Sequence, residues 1–319
     1  MTLVQLEYVV ALYQLKHFAK AAAHCHVTQP SLSMQVQKLE EELGVILFDR
    51  SKQPVMPTDA GIGIIEQARR VLEERDMLLQ QIQHRKGVVA GELRIGIIPT
   101  LAPYLLPLFV KPFAKKYPAV RLVVQEMMTE HIIRALRDGK VDAGILVTPL
   151  QETGIKEHIL FYEELMVYVS KQHAVYNKTY VIPQDIDPDN LWLLEEGHCF
   201  RSQIANLCEL KKLSKENTPF DYEAGSIETL RRMVEVNEGI TIIPELATLG
   251  MPAREMQMVR HFKKPAPMRE VSLVVHRNFM KQKLIRLLRT EIVQTLPEKV
   301  HHNKPSKVVP INSITNLQQ

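Results

Sequence analysis

The run Thr28-Gln29-Pro30-Ser31-Leu32-Ser33-Met34-Gln35-Val36-Gln37-Lys38-Leu39, which continues to Leu43-Gly44, decides the fold of the N-terminal part of the chain. Pro30 suits the first turn of a helix, where no amide hydrogen is needed, and Leu32, Val36, Leu39 and Leu43 recur at helical spacing. The stretch reads as a helix with one leucine-rich face, stopped at Gly44. Its other face carries Ser31, Ser33, Met34, Gln35 and Lys38. Upstream, residues 3–15 read as an apolar-rich helix and residues 17–23 as a second one, joined to the third by the turn at 26–29. Downstream, residues 46–50 and 55–58 read as a short hairpin, or wing. Together, residues 1–58 predict a winged helix-turn-helix.

That arrangement sets expectations for DNA. The third helix would enter the major groove with Gln29, Pro30, Ser31, Ser33, Met34, Gln35 and Lys38 toward the bases, and Arg50 and Lys52 on the wing would touch phosphates or the minor groove. Charge adds little support. The formal net charge is +4, and within residues 1–58 the lysines and arginine are offset by Glu7, Glu40, Glu41, Glu42 and Asp49.

Thr58 or Asp59 would then cap a long helix over residues 60–84, with apolar Ile64, Ala68, Val71, Leu72, Leu78, Leu79 and Ile82. No partner for this stripe is evident in the sequence. Residues 59–88 are therefore read as a linker and dimerisation helix, with Ile64, Ala68, Leu72, Leu79 and Ile82 as its contacts. Arg85-Lys86-Gly87 marks a linker.

Beyond it the pattern alternates strands (93–98, 121–126, 141–147, 165–170, 191–195, 239–244, 271–275) with helices (101–116, 130–138, 226–236, 281–296). This predicts an α/β effector domain over 89–298 with a mostly parallel sheet and two lobes joined by crossing strands. Lobe I would hold about 89–163 and 268–298, and lobe II about 164–267. Residues 299–319 are polar and expected to be disordered.

Two of the three cysteines, Cys199 and Cys208, lie nine residues apart. Residues 200–212 lack Gly and Pro and carry apolar Ile204, Leu207 and Cys208, so a helix starting near Cys199 is expected. A cysteine at a helix N-terminus, beside His198 and Arg201, is placed to be a low-pKa thiolate. A regular helix separates the two thiols by roughly 13 Å along its axis, whereas a disulfide tolerates Cα atoms at most about 7 Å apart. Joining them would require unwinding the helix, which makes the pair a candidate redox switch. The alternative is that both are small core hydrophobes, the role expected of Cys25. His24, Cys25 and His26 point in different directions on a helix and make no metal site.

With 319 residues and 45% hydrophobic content the chain supports several cores. No apolar run is long enough to span a membrane and the N-terminus carries no export pattern, so a cytoplasmic location is expected, where a lasting disulfide is rare.

The segments Ala21-Ala22, Thr28-Gln29-Pro30-Ser31-Leu32-Ser33, Leu39-Glu40, Leu43-Gly44, Leu47-Phe48-Asp49-Arg50 and Thr58-Asp59-Ala60-Gly61 closely resemble the LysR-type transcriptional regulators. Further segments, 91–100, 103–107, 196–199 with Cys208, and 228–231, resemble that family's hydrogen-peroxide-sensing members. The resemblance implies a periplasmic-binding-protein-like effector domain and a homodimer assembling to a homotetramer. It also implies binding to promoter operators in double-stranded DNA, recruitment of RNA polymerase as an activator of oxidative-stress genes, and resetting by a glutaredoxin- or thioredoxin-type dithiol. By the same resemblance Cys199 is the peroxidatic thiol and Cys208 the resolving one. Thr100, Thr129, His198 and Arg269 are pocket groups beside Arg201, and no cofactor or metal is expected.

The threonines have independent support. Each follows an apolar strand and precedes an amphipathic helix, so each is expected to cap that helix at the carboxyl edge of the sheet. Ser202 departs from the pattern, since some such sensors carry an acidic residue there. Two other readings stay open: a regulator of the same family that binds a small organic effector between its lobes, and a thiol peroxidase, against which the DNA-binding module argues. An exported solute-binding protein fits neither the N-terminus nor the winged module.

Overall fold

A computed structural model of the chain describes residues 1–85, 89–209, 224–277, 279, 281–298, 300, 305 and 307–310, with only the backbone described at 73, 76, 77 and 79–85. It divides into two compact units, Met1–Val88 and Val89–Gln319.

In the first unit, α1 (Leu3–Leu15) opens on a reciprocal cap in which the Thr2 hydroxyl accepts from the Gln5 amide and the Gln5 side chain accepts from the Thr2 amide. Helix α2 (Phe18–His24) follows. Helix α3 (Gln29–Leu43) starts at a Thr28 cap, holds Pro30 in its first turn and stops at Gly44 in the left-handed region (φ 66°). Its Leu32, Val36 and Leu39 are fully buried against Leu6, Val9 and Leu12 of α1, while Leu43 is only partly buried. Strands β1 (Phe48–Asp49) and β2 (Met56–Pro57) pair antiparallel as the wing. Helix α4 (Asp59–Arg85) completes the unit. At Gly61 a Cβ would collide with the Leu47 carbonyl, so glycine lets α4 start close under the wing.

The stripe on α4 is not without a partner. Ala68 is buried, and Ile64, Val71 and Leu72 pack on the unit's own core beside α1. An Arg75–Glu7 ion pair ties the same two helices. The expectation that this stripe has no partner within its own unit is therefore corrected, because α1 offers Ile64, Ala68 and Leu72 an apolar face that periodicity could not reveal, while Ile64 and Leu72 stay partly exposed. Leu78 remains 59% exposed. Leu79 and Ile82 lie among the residues whose side chains are outside the described set.

The second unit is built on one mixed sheet in the order β4-β3-β5-β9-β6-β7, with β8 also paired to β6. Strands β3 (Gly91–Ile97), β4 (Val120–Glu126) and β5 (Ala143–Thr148) are parallel, linked by α5 (Ala102–Lys116) and α6 (Thr129–Arg137). The fifteen-residue β6 (Ile155–Val169) and β9 (Met268–His276) run antiparallel to each other along a nine-pair register. The mostly parallel sheet expected from the alternation is thus limited to β3, β4 and β5. Strands β6 and β9 cross between the lobes in opposite senses, which forces an antiparallel ladder.

Lobe II adds α7 (Cys199–Leu207), α8 (Ile227–Val236), β7 (Ile240–Pro244), the single-turn α9 (Ala253–Met256) and β8 (Val259–His261); α10 (Gln282–Thr295) returns to α5 of lobe I. Each lobe has its own apolar core, one around Ile95, Phe109, Ile145 and Leu273, the other around Val167, Phe200, Leu230 and Ile242. The expected strand at 191–195 is reduced to isolated bridges from Leu191 to Ile240 and from Leu194 to Ala224. Helix α7 is shorter than expected, ending at a Cys208 cap, and residues 210–223 lie outside the described set. The tail, expected to be disordered from 299, packs at residues 307–310, where Val309 is 4% exposed.

Candidate functional site

Arg269 of β9 is the largest fully buried side chain of the described residues. A lone buried guanidinium would be very costly, and its partners are all close. Its Nε donates to Glu163 Oε1 at 2.7 Å, and its Nη1 and Nη2 donate to Thr100 Oγ1 and Thr100 O at 3.2 Å each. Glu163 is the register partner of Arg269 on β6, and its second oxygen accepts from the Leu246 amide at 3.0 Å. The guanidinium also lies 5.2 Å from the ring centre of Phe200 on α7, a cation–π contact. Lobe I, both crossing strands and lobe II therefore meet on one charged side chain.

Cys199 sits at this junction. Gly197, in the left-handed region (φ 91°), turns the chain into His198, whose extended backbone caps α7, so Cys199 is the first residue of the helix. Phe200, Ile204 and Leu207 anchor α7 in the core of lobe II, while Cys199 packs against the core of lobe I. Cys208, at the other end of the helix, packs against the core of lobe II. All three cysteines are free.

The electrostatics differ from the sequence expectation. Burial pushes the Cys199 thiol up from the usual cysteine range. The Thr129 hydroxyl, the Arg269 guanidinium and the amides of Cys199 and Phe200 all favour the thiolate but do not reverse that effect. Burial between the two cores thus works against the low-pKa thiolate expected of a cysteine at a helix N-terminus. Burial likewise holds the His198 imidazole below its ordinary value, partly opposed by Glu195, whose Oε1 lies 3.7 Å from Nε2. His198 is thus a neutral cap rather than a source of charge. Arg201 is buried, and its Nη1 donates to the Leu194 carbonyl at 2.7 Å, inside lobe II. The positive charge acting on the thiol is that of Arg269. Burial pushes the Cys208 thiol up to about 12.

Neither threonine caps its helix. Leu101 precedes α5, which leaves Thr100 in the turn to receive Arg269, and Met128 precedes α6, which makes Thr129 its first residue. Thr129 Oγ1 is buried without a hydrogen bond of regular geometry; it influences the Cys199 sulfur but leaves capacity for another partner.

Two groups escaped the sequence reading. Glu163 stands in the apolar run 160–169, where a buried acid signals a buried base elsewhere. Tyr104 of α5 donates to Glu228 Oε1 of α8 at 2.8 Å, and Glu228 also accepts from Arg231, so a second polar tie joins the lobes.

The DNA-facing candidates belong to the first unit. Gln29, Pro30, Met34 and Lys38 are exposed on α3, while Ser31 and Ser33 are half-buried. Gln35 is partly engaged, accepting from Gln5 at 3.2 Å. Lys52 is exposed beside Asp49 at 3.5 Å. Arg50 has an internal role that the sequence did not suggest: it donates to Glu40 Oε2 at 2.8 Å and lies over the Phe18 ring. Glu40 in turn accepts from the amides of Leu47 and Phe48, fastening the wing to α3.

Residues 3–62 match the family described as bacterial regulatory helix-turn-helix protein, lysR family, and residues 86–297 match the LysR substrate binding domain. The chain is 37% identical over 274 residues to the hydrogen peroxide-inducible genes activator of Dickeya chrysanthemi, covering 86% of this chain and 89% of that protein. It is equally similar, 37% over 274 residues and with the same coverage, to the DNA-binding transcriptional dual regulator OxyR of Escherichia coli K12. The structure of full-length OxyR C199D from Pseudomonas aeruginosa superposes with a TM-score of 0.73 at 34% identity, covering 93% of this chain and 99% of that one.

Proposed function

From the premise that the chain belongs to the LysR family of bacterial transcriptional regulators, we propose that it is a hydrogen peroxide sensor switched by a reversible Cys199–Cys208 disulfide. It binds DNA through its helix-turn-helix. The observation that carries the proposal is the placement of Cys199: a thiol between two lobes, beside Thr129 and Arg269, on a helix whose far end holds a second thiol. The similarity to hydrogen peroxide-inducible activators supports the same reading.

In the proposed chemistry, peroxide enters beside the Thr100 and Thr129 hydroxyls. The Cys199 sulfur attacks one oxygen, a sulfur–oxygen bond forms as the oxygen–oxygen bond breaks, and the thiol proton leaves with the departing hydroxide as water. Attack by Cys208 on the sulfenic sulfur then forms the disulfide, breaks the sulfur–oxygen bond and releases a second water. A cellular dithiol of the glutaredoxin or thioredoxin type returns both thiols by exchange.

Helix α7 holds its two ends roughly 13 Å apart, so closure requires it to unwind. The work comes from the oxidation, and the change of shape passes to the effector-domain contacts of a homodimer or homotetramer and to RNA polymerase at oxidative-stress promoters. Helix α4, whose Ile64 and Leu72 stay partly exposed and whose Leu78 is exposed, is the proposed dimer contact.

The test is transcription from a responsive promoter in cells given peroxide. Cys199→Ser should abolish the response. Cys208→Ser should leave a Cys199 that can be trapped as sulfenic acid without an internal bridge. A full response in Cys199→Ser would overturn the proposal and favour an organic effector in the interlobe cleft.

A further inference from the structure

Residues 307–310 end up on the same helix that carries the two thiols. Val308 forms a parallel bridge with Met268, with the Met268 amide donating to Lys307 O at 3.1 Å and the Val309 amide donating to Met268 O at 2.8 Å. From the other side, two side chains of α7 read the tail backbone. Gln203 Nε2 donates to Val309 O at 2.9 Å and Asn206 Nδ2 donates to Pro310 O at 3.1 Å. Positions 203 and 206 are neighbours on one face of the helix. Val309 is buried in the lobe II core together with Phe200, Ile204 and Leu207 of α7. The tail is thus an added strand on Met268, the neighbour of Arg269, and a strap across the middle of the cysteine helix.

We propose that residues 307–310 form a built-in clamp that holds α7 helical and so sets how readily Cys199 and Cys208 can be joined. The inference rests on the disulfide switch proposed above. The physical argument is linkage. Unwinding α7 moves Gln203 and Asn206 away from their carbonyls and dismantles the apolar seat of Val309, so the tail must loosen when the helix does. Conversely, a tail bound only to the helical form stabilises that form by the same amount. Gln203 is fully buried, so its amide loses a buried carbonyl partner if the tail leaves. The clamp therefore opposes oxidation and is released by it.

The test uses the full chain in three forms: unaltered, Val309→Asp and Gln203→Ala. Alanine is the better helix former, so loosening of α7 in that variant cannot come from helix propensity. Amide exchange is first measured on the reduced proteins without peroxide. A net hydrogen bond contributes a factor of about five to ten in a local equilibrium, so α7 amides should exchange roughly tenfold faster in Val309→Asp and several-fold faster in Gln203→Ala. Protection in α5 and α10 should stay unchanged. With one equivalent of peroxide, both variants should form the disulfide faster than the unaltered chain, in which trypsin should cut after Lys307 only once the protein is oxidised.

Unchanged α7 protection in both reduced variants would overturn the clamp, whatever peroxide does. Absence of the disulfide from the unaltered chain would overturn the switch itself. The two failures are distinguishable because the exchange measurement needs no oxidation.

Discussion

Arg269 and Glu163 are register partners across the β6–β9 ladder, joined at 2.7 Å with neither side chain exposed. The pair lies on the two strands that cross between the lobes, and it also holds Thr100 in place. Removing one member strands a buried charge, which costs about 3–5 kcal/mol. Arg269→Met and Glu163→Gln should each lower the stability of the effector unit by that order in urea unfolding, and the double variant should recover part of the loss. Additive losses would argue against direct coupling.

The raised Cys199 thiol leads to a pH prediction. Folding disfavours its charged form, so the thiolate fraction at neutral pH is small and grows as pH rises toward the folded-state value. In Cys208→Ser, the rate of Cys199 alkylation should rise roughly tenfold per pH unit from pH 7 to 9 without a plateau. A plateau below pH 7 would restore the low-pKa thiolate. The sign for stability is the same for both thiols: the unfolded chain releases these protons first, so stability is intact below the ordinary cysteine value and is lost as pH rises beyond it. His198 acts in the opposite direction. Its lowered value costs stability as pH falls below the ordinary histidine range, and His198→Asn should flatten that acid limb.

The two DNA-facing groups should separate by salt dependence. Gln29→Ala, on the exposed start of α3, should lower specific operator binding by about 1–3 kcal/mol while sparing non-specific binding. Lys52→Ala should weaken binding to all sequences and reduce the salt slope by about one. Glu40→Ala should act differently, destabilising the first unit by about 1–3 kcal/mol through the unpaired Leu47 and Phe48 amides. Operator titrations over a salt series, with thermal melts, distinguish the three.

How far the sequence was legible depends on whether a feature is periodic or tertiary. The stripe of Leu32, Val36 and Leu39 follows helical spacing, and its burial follows from that spacing alone. The position of Thr100 and Thr129 beyond strand ends was also legible; their hydrogen-bonding roles were not, because each helix begins one residue away from the expected place. Arg269 came from resemblance, and Glu163, which neutralises it 106 positions earlier, could be found only by asking what a glutamate does among Leu160, Phe161 and Leu165. The burial that works against ionisation of Cys199 and His198 was not legible, because tertiary packing leaves no local trace.

The partner that Leu72 has within its own unit was hidden for a similar reason. The helical stripe was visible, but its partner on α1 was not. Leu78→Glu, on the exposed part of α4, should therefore dissociate dimers without lowering the melting temperature of the first unit. Leu72→Glu should do both. Sedimentation velocity with parallel melts checks this, and an undiminished dimer in Leu78→Glu would move the contact elsewhere.

Peptide mapping after one equivalent of hydrogen peroxide, combined with amide exchange across residues 199–208, bears most directly on the central claim. The account predicts a Cys199–Cys208 disulfide, two thiols consumed per peroxide, and loss of protection throughout α7, all reversed by a dithiol. A bridge that includes Cys25, or unoxidised thiols in a fully protected α7, would contradict it.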